Sequence, residues 1–166
     1  MKKIIALLAI VGLFSLQGCT TSGSLEITPI TPTSEVFEVT TSFNSSNNYS
    51  KLVTLNPPIY STDTVLAYRL TGTSQGADIW KLLPETHYFT DGTLDFGYDF
   101  NYTNYDVKIY MVGSNLQTVT DQYRLNQVIR IVIVPASFAT SIDKNNFEGV
   151  MAALKMNDTQ IQKINL

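Results

Sequence analysis

The chain has 166 residues, with 11 basic and 14 acidic side chains and a formal charge of −3 at pH 7. Charged residues make up 15% of the chain, below the ~25% of ordinary soluble proteins, and no polybasic run is present to bind nucleic-acid phosphates. Nucleic acid is therefore excluded as an expected partner. One cysteine excludes an intramolecular disulfide, so stability must come from packing and from sheet hydrogen bonds.

The N-terminal segment has the layout of a secretory signal. Lys2 and Lys3 precede an apolar run over residues 4–16, and small residues follow. This order is typical of an export signal. The run has 13 residues, whereas a membrane-spanning helix needs about 20. We expect residues 1–18 to be removed by cleavage between Gly18 and Cys19, which leaves 148 residues, enough for one domain.

Residues 16–19, Leu-Gln-Gly-Cys, resemble the lipobox of bacterial lipoproteins. In these proteins the cysteine is lipidated and becomes the first mature residue, which implies a diacylglycerol and usually a third acyl chain on Cys19. Two or more chains make membrane attachment durable, whereas one chain gives marginal binding. Lipidation also removes a thiol that an exported protein exposes to oxidation or intermolecular pairing. The alternative is an ordinary cysteine beside a plain secretory cleavage site.

Residues 19–34 are predicted to contain the lipidated cysteine and a flexible linker. Thr, Ser and Pro dominate residues 20–34, and no helical period occurs. Such a segment is a partly stiffened coil that reaches at most ~50 Å at about 3.3 Å per residue. In the lipoproteins of enteric bacteria, an aspartate directly after the cysteine favours retention at the inner membrane. Thr20 occupies that position here, so the resemblance implies the outer membrane. It does not decide between the periplasmic side and the cell surface.

Residues 35–166 are predicted to form a single mainly β domain. Short runs alternate between apolar and polar side chains, with turn residues between them. The predicted strands cover residues 35–43, 49–55, 64–70, 78–83, 94–102, 105–112 and 128–134, and residues 71–76 are predicted to be a loop. Because strands do not alternate with helices, we expect an antiparallel β-sandwich, of jelly-roll or immunoglobulin-like type, with about 7–8 strands.

The alternation also predicts which side chains face the core. In residues 35–43, Phe37 and Val39 should point inward and Glu38 to solvent, since period two indicates a half-buried strand. Tyr98 and its alternate neighbours in residues 94–102, and Tyr105 at the start of the next strand, should also point inward. Residues 128–134 are apolar at nearly every position, which is typical of a central strand covered on both faces.

The tail changes to a helical period. Phe147, Val150, Met151 and Leu154 follow the spacing of one helix face, and Asp143 is the expected cap. One short C-terminal helix should therefore pack on the sheets. The pattern of residues 157–166 is compatible with either a helix or a strand.

Two clusters suggest chemistry, but both have a simpler structural explanation. Asp91, Asp95, Asp99 and Asn101 offer oxygen ligands for calcium, yet alternate residues on a strand lie ~7 Å apart, so a solvated face is favoured. His87 is the one histidine, too few for a multi-histidine zinc site. A small hydrolase using it stays an alternative, although no Gly-x-Ser-x-Gly elbow supports one. We therefore expect no metal, no cofactor and no catalytic residue.

Aromatic residues suggest a further alternative, a carbohydrate-binding module at the cell surface. Trp80 and tyrosines such as Tyr110 provide ring faces on which a sugar can stack, although most aromatic side chains fall on predicted inward faces. In addition, Asp63, Thr64 and Val65 match the Asp-Thr/Ser-apolar motif at which Bacteroidota glycosylate exported proteins. Whether this threonine is modified stays open.

From residue 79 to residue 154 the chain resembles a family of uncharacterised envelope lipoproteins of the Bacteroidota. The resemblance is carried by the segments Ile-Trp-Lys-Leu-Leu-Pro (79–84), Phe-Thr-Asp-Gly (89–92), Asp-Val-Lys-Ile-Tyr (106–110) and Ile-Arg-Ile-Val-Ile-Val-Pro-Ala (129–136), and by the helix at 147–154. Many relatives carry a collagen-like segment after the lipidated cysteine, which this chain lacks. The resemblance implies an envelope location and no known activity. The sequence therefore predicts a lipid-anchored, non-enzymatic envelope protein with a structural or partner-binding domain, whose partner, a protein or a glycan, it does not identify.

Overall fold

The computed structural model of the chain describes residues 34–164. The predicted signal peptide, Cys19 and the linker up to residue 33 lie outside the described residues. Within them there are nine strands, namely β1 (Glu35–Thr41), β2 (Ser50–Thr54), β3 (Asp63–Ser74), β4 (Ala77–Leu82), β5 (Glu85–Tyr88), β6 (Leu94–Tyr102), β7 (Asp106–Gly113), β8 (Gln127–Pro135) and β9 (Gln162–Ile164). The described helices are α1 (Asp121–Arg124), α2 (Ala136–Ala139) and α3 (Phe147–Leu154).

The strands form two sheets that pack face to face. Sheet A has five strands in the order β4-β3-β8-β1-β9, and sheet B has four in the order β2-β7-β6-β5. Neighbouring strands run antiparallel except β1 and β9, which are parallel. The prediction of a mainly β sandwich with a short C-terminal helix is confirmed, with this one parallel pair as an exception to the antiparallel pattern.

Two apolar layers hold the fold together. The layer between the sheets joins side chains of both, including Val39, Phe43, Val53, Phe96, Tyr98, Val107, Ile109, Ile129 and Ile131. A second layer lies between the outer face of sheet A and the helices, where Val36, Leu66, Tyr68, Val132 and Val134 meet Ala139, Phe147, Val150 and Met151. The part of the chain that the structure describes thus has three layers, and sheet A is the middle one.

The middle position of sheet A corrects one prediction and confirms another. The sequence pattern predicts that Glu38 faces solvent, but its exposed fraction is only 9% because the outer face of β1 is covered too. β8 lies at the centre of sheet A with both faces covered, as its continuous apolar run predicts.

The loop predicted over residues 71–76 is wrong. β3 continues to Ser74, and only Gln75 and Gly76 form the turn to β4. Both turn residues have positive φ, 52° and 85°, which is the backbone of a two-residue hairpin turn. The bulge between Leu70 and Gly72 allows the hairpin to extend beyond the sheet.

Other differences concern the ends of elements. β5 was not predicted, and residues 157–164 form both a 3₁₀ turn and the short strand β9. The helix α3 is confirmed, but its cap is Asn146, whose side chain accepts a hydrogen bond from the Gly149 amide, while Asp143 binds the Asn145 amide. Tyr105 lies just before β7 and is exposed instead of buried. Leu94 and Tyr102, at the two ends of β6, are also exposed instead of buried, whereas Phe96 and Tyr98 are buried as predicted.

Candidate functional site

The sandwich has two distinct ends. We define the entry end as the end at which β1 begins, at Glu35, and the far end as the opposite one. Arg69 of β3 lies level with Val39 through the β8 register, and Trp80 pairs with Leu70, the next residue. Trp80 is therefore five residues, about 17 Å, further along the sheet than Glu35. The β3–β4 and β5–β6 turns also lie at the far end.

A groove of about 420 Å³ contains Trp80 on the outer face of sheet A. The helix α3 forms one wall, and the β4 strand with the turn before β9 forms the other. Its apolar floor comes from Trp80, Phe147 and Met151, and its polar rim comes from Asp78, Glu148, Asn157 and Asp158. The ring centroids of Trp80 and Phe147 are 5.2 Å apart, so the helix fixes one side of the indole.

Arg130 fixes the indole from a second direction. The guanidinium carbon of Arg130 lies 4.1 Å from the Trp80 ring centroid, within the range of a cation–π contact. Its Nε donates to Glu38 Oε2 at 3.1 Å, and its Nη1 donates to Asp158 Oδ1 at 2.9 Å. Lys163 adds an outer contact to Glu38, with Nζ 3.4 Å from Oε1. The charge of Arg130 is therefore neutralised by carboxylates, and its guanidinium covers ring area that a stacking sugar would need.

The structure does not bring Tyr110 to this groove. Tyr110 lies on β7 and points from the outer face of sheet B, beside Ser50 of β2 and Asp99 of β6. Partial burial and the neighbouring Asp99 carboxylate raise the pKa of Tyr110. Because Trp80 and Tyr110 lie on opposite outer faces of the sandwich, they do not form one ligand platform.

A second polar cluster lies between the two sheets, where β3 of sheet A faces β5 of sheet B. The Arg69 guanidinium binds the Glu85 carboxylate with two bonds of 2.8 Å, and its Nη1 donates to Gln127 Oε1 at 2.9 Å. Arg69 and Glu85 are 4% and 5% exposed. The guanidinium carbon also lies 4.5 Å from the Tyr98 ring centroid. These contacts join both sheets, and a shallow groove of about 360 Å³ opens beside Arg69 and Gln127.

His87 belongs to this cluster as a peripheral member. Its Nε2 lies 2.9 Å from Glu85 Oε1, and its ring stacks on Phe96 with centroids 4.3 Å apart. Burial alone would raise the pKa of the Glu85 carboxyl, but the hydrogen bonds and charge of Arg69, followed by those of His87, hold this pKa below its ordinary value. Glu85 is thus a structural anion, already bound by Arg69.

This geometry gives little support to the hydrolase alternative. Nucleophilic catalysis needs a hydroxyl or thiol within hydrogen-bond reach of the base. Among residues 34–164, the hydrogen bond of the His87 ring goes to Glu85 and none goes to a serine or threonine hydroxyl. Glu85 in turn is held by Arg69, and does not orient the histidine alone as a triad acid does.

The acidic residues weighed as metal ligands serve as turn and strand residues. Asp91 Oδ1 accepts hydrogen bonds from the amide and the hydroxyl of Thr93, which lower the pKa of Asp91. In the part of the chain that the structure describes, no three His, Cys, Asp or Glu side chains are close enough to hold a metal ion. Thr64 of the glycosylation motif is half-buried in β3, where it pairs with Val134.

Sequence reasoning found Trp80 and His87 but missed the arginines that organise their surroundings. A signal was present, since Arg69 alternates with Val65 and Ala67 on an inward face, and Arg130 interrupts the apolar run of β8. A buried arginine requires a carboxylate partner. The partners themselves are distant along the chain, and pairing them requires the fold.

No helix within residues 34–164 has the length and apolar character needed to span a bilayer. Comparisons with protein families, curated proteins and solved structures find no match to this chain.

Proposed function

We propose that this chain is an exported envelope lipoprotein, anchored in the outer membrane through lipidated Cys19, whose β-sandwich binds a partner without catalysing a reaction. The Leu-Gln-Gly-Cys box and the charged and apolar segments before it carry the proposal. The resemblance to Bacteroidota envelope lipoproteins agrees with it. In this proposal residues 1–18 are removed, and residues 20–34 link the anchor to the domain.

The arrangement of the described domain supports a binding role. The groups with catalytic potential are engaged in structural contacts, since Arg69 neutralises Glu85 and Arg130 binds two carboxylates. The far end carries exposed apolar side chains on the β5–β6 hairpin, at Tyr88 and Phe89. Neighbouring exposed apolar side chains are typical of a binding surface. Because the linker joins at the entry end, the far end is the one available to a partner in the envelope.

The anchor is tested by metabolic labelling with an alkyne analogue of palmitate. We expect the wild-type protein to carry the label and to sediment with membranes. Cys19→Ala should lose the label, because the acylated thiol is gone, whereas Thr20→Ala keeps the box and should retain it. Label that persists on Cys19→Ala would disprove anchoring at this residue.

A glycan remains the second candidate partner, because Trp80 is half-buried in a groove with a polar rim. The chain has one tryptophan, so its fluorescence reports directly on the groove. A glycan that binds there should change the Trp80 emission and should lose affinity for Glu148→Ala, a rim variant that leaves the Arg130 contacts intact. Glycan binding without either effect would place the site elsewhere.

A further inference from the structure

Three tyrosines are exposed at the entry end. Tyr60, Tyr105 and Tyr102 have exposed fractions of 65%, 66% and 40%. Tyr60 lies in the loop between β2 and β3, while Tyr102 and Tyr105 flank the turn between β6 and β7. We call these three residues the tyrosine patch.

The two loops form one surface, because main-chain hydrogen bonds join them. The Ile59 amide donates to the Asn104 carbonyl at 2.9 Å, and the Leu55 amide donates to the Tyr105 carbonyl at 2.7 Å. The Tyr60 carbonyl accepts from the Asp63 amide at 3.0 Å, which ties the first loop to β3. The patch is therefore held in place by the ends of both sheets.

The two loop segments that carry the patch contain no charged side chain. Residues 56–62 read Asn-Pro-Pro-Ile-Tyr-Ser-Thr, and residues 102–105 read Tyr-Thr-Asn-Tyr. The flanking carboxylates are engaged in turns, since Asp63 Oδ2 accepts from the Tyr60 amide at 3.0 Å and Asp106 Oδ1 accepts from the Thr103 hydroxyl at 2.9 Å. Phenol rings on loop segments without charged side chains suit the boundary between water and lipid, where tyrosine is enriched.

The position of the patch relative to the start of β1 indicates what the patch contacts. In sheet A, Glu35 lies opposite Ile133, whereas Asp63 lies opposite Pro135, two residues further out. Tyr60 belongs to the loop that leads into Asp63, so the patch lies at the same end of the sandwich as the start of β1, where the linker joins. A flexible coil with the length of residues 20–34 would have a root-mean-square span of about 20 Å, and a tether of that length gives a local concentration on the order of millimolar.

We propose that the tyrosine patch contacts the headgroup region of the membrane that holds the Cys19 anchor, so that the domain docks with its far end pointing away. This inference rests on the proposed anchoring. The contact is interfacial and not electrostatic, because the two loops contain no lysine or arginine. In the docked state the linker keeps the domain against the bilayer instead of holding it at a distance.

The test uses the full lipidated protein in vesicles of phosphatidylcholine and phosphatidylethanolamine. A fluorophore is attached to Asn104→Cys beside the patch or, as a control, to Ser74→Cys at the far end. Acylated Cys19 leaves the introduced thiol as the only reactive one, since the chain has one native cysteine. Vesicles that contain a nitroxide-labelled phosphatidylcholine should quench the label at position 104 and leave the label at position 74 unquenched.

Two matched variants assign the quenching to the patch. Tyr60→Ser with Tyr105→Ser should abolish quenching at position 104, whereas Tyr88→Ser with Phe89→Ser, which removes exposed rings at the far end, should leave it unchanged. Circular dichroism confirms that both variants are folded.

Flotation of the vesicles separates the two proposals. Protein that floats without quenching at position 104, or whose quenching survives the loss of Tyr60 and Tyr105, overturns the docking while the anchor stands. This result is also the one expected if the patch binds a protein partner, because the vesicles contain none. Protein that fails to float overturns the anchor, and the docking with it.

Discussion

Replacing Glu85 by alanine should destabilise the domain more than any surface change, because it leaves the Arg69 guanidinium buried without its carboxylate. In the wild-type protein both oxygens of Glu85 bind Arg69, and one of them also contacts His87. The remaining partners of Arg69 are Gln127 and the carbonyl of Leu70, which carry no charge.

The magnitude follows from the burial of both groups, which are 4% and 5% exposed. Removing one member of a buried ion pair costs about 3–5 kcal/mol, out of the roughly 5–15 kcal/mol that stabilises a domain. Replacing both members, Arg69→Met with Glu85→Leu, should restore much of the loss, because an apolar pair of similar volume is often neutral. The matched control is Lys163→Ala, which removes the contact between the exposed Lys163 side chain and Glu38. Exposed ion pairs contribute at most about 1 kcal/mol.

Urea denaturation followed by the fluorescence of Trp80 measures these free energies of unfolding. We expect a large loss for Glu85→Ala, a partial recovery for the double variant, and a change below about 1 kcal/mol for Lys163→Ala. If Glu85→Ala behaves like Lys163→Ala, the pair is solvated and the structural role assigned to it is refuted.

Three further predictions concern acid, backbone packing and the core. The pKa of Glu85 is lower in the folded state than its unfolded value of roughly 4.3. The ionised Glu85 carboxylate therefore makes its full contribution to stability at a pH above the unfolded pKa, and this contribution is lost as the pH falls through the folded pKa. The gap in unfolding free energy between wild type and Glu85→Gln should therefore narrow under acid, and a gap that widens would contradict this sign. Gly97→Ala should cost about 1–3 kcal/mol, since its Cβ would lie 2.7 Å from the Glu85 carbonyl oxygen; an unchanged urea midpoint would argue against this close approach. Ile131→Ala should cost about 2–5 kcal/mol and exposed Leu52→Ala less than about 0.5 kcal/mol, and equal losses would contradict the assigned core.

The sequence predicts elements well where one local pattern decides them. The alternation in β6 and the continuous apolar run of β8 each identify a strand, and the period of α3 identifies a helix. Burial is harder to predict, because a polar side chain on the second face of a strand is compatible with either solvent or a covering layer. Glu38 is the example: its period predicts exposure, whereas in the structure it lies opposite Arg130 of β8 on the face of sheet A that the helices cover.

The missed features depend on contacts distant in sequence. β5 is short and follows Pro84, so its identity as an edge strand comes from pairing with β6. β9 has three residues and depends on β1. The candidate site has the same limit, since Trp80 is recognisable as a candidate while the Arg130 that stacks on it is fifty residues away.

The central claim, anchoring through Cys19, is tested most directly by the mass of the N-terminal peptide of the mature protein. Purification from the membrane fraction and digestion should yield a peptide that begins at Cys19 and carries the mass of a diacylglycerol, with or without an additional acyl chain. A mature chain that begins at another residue, or an unmodified Cys19, would contradict the account.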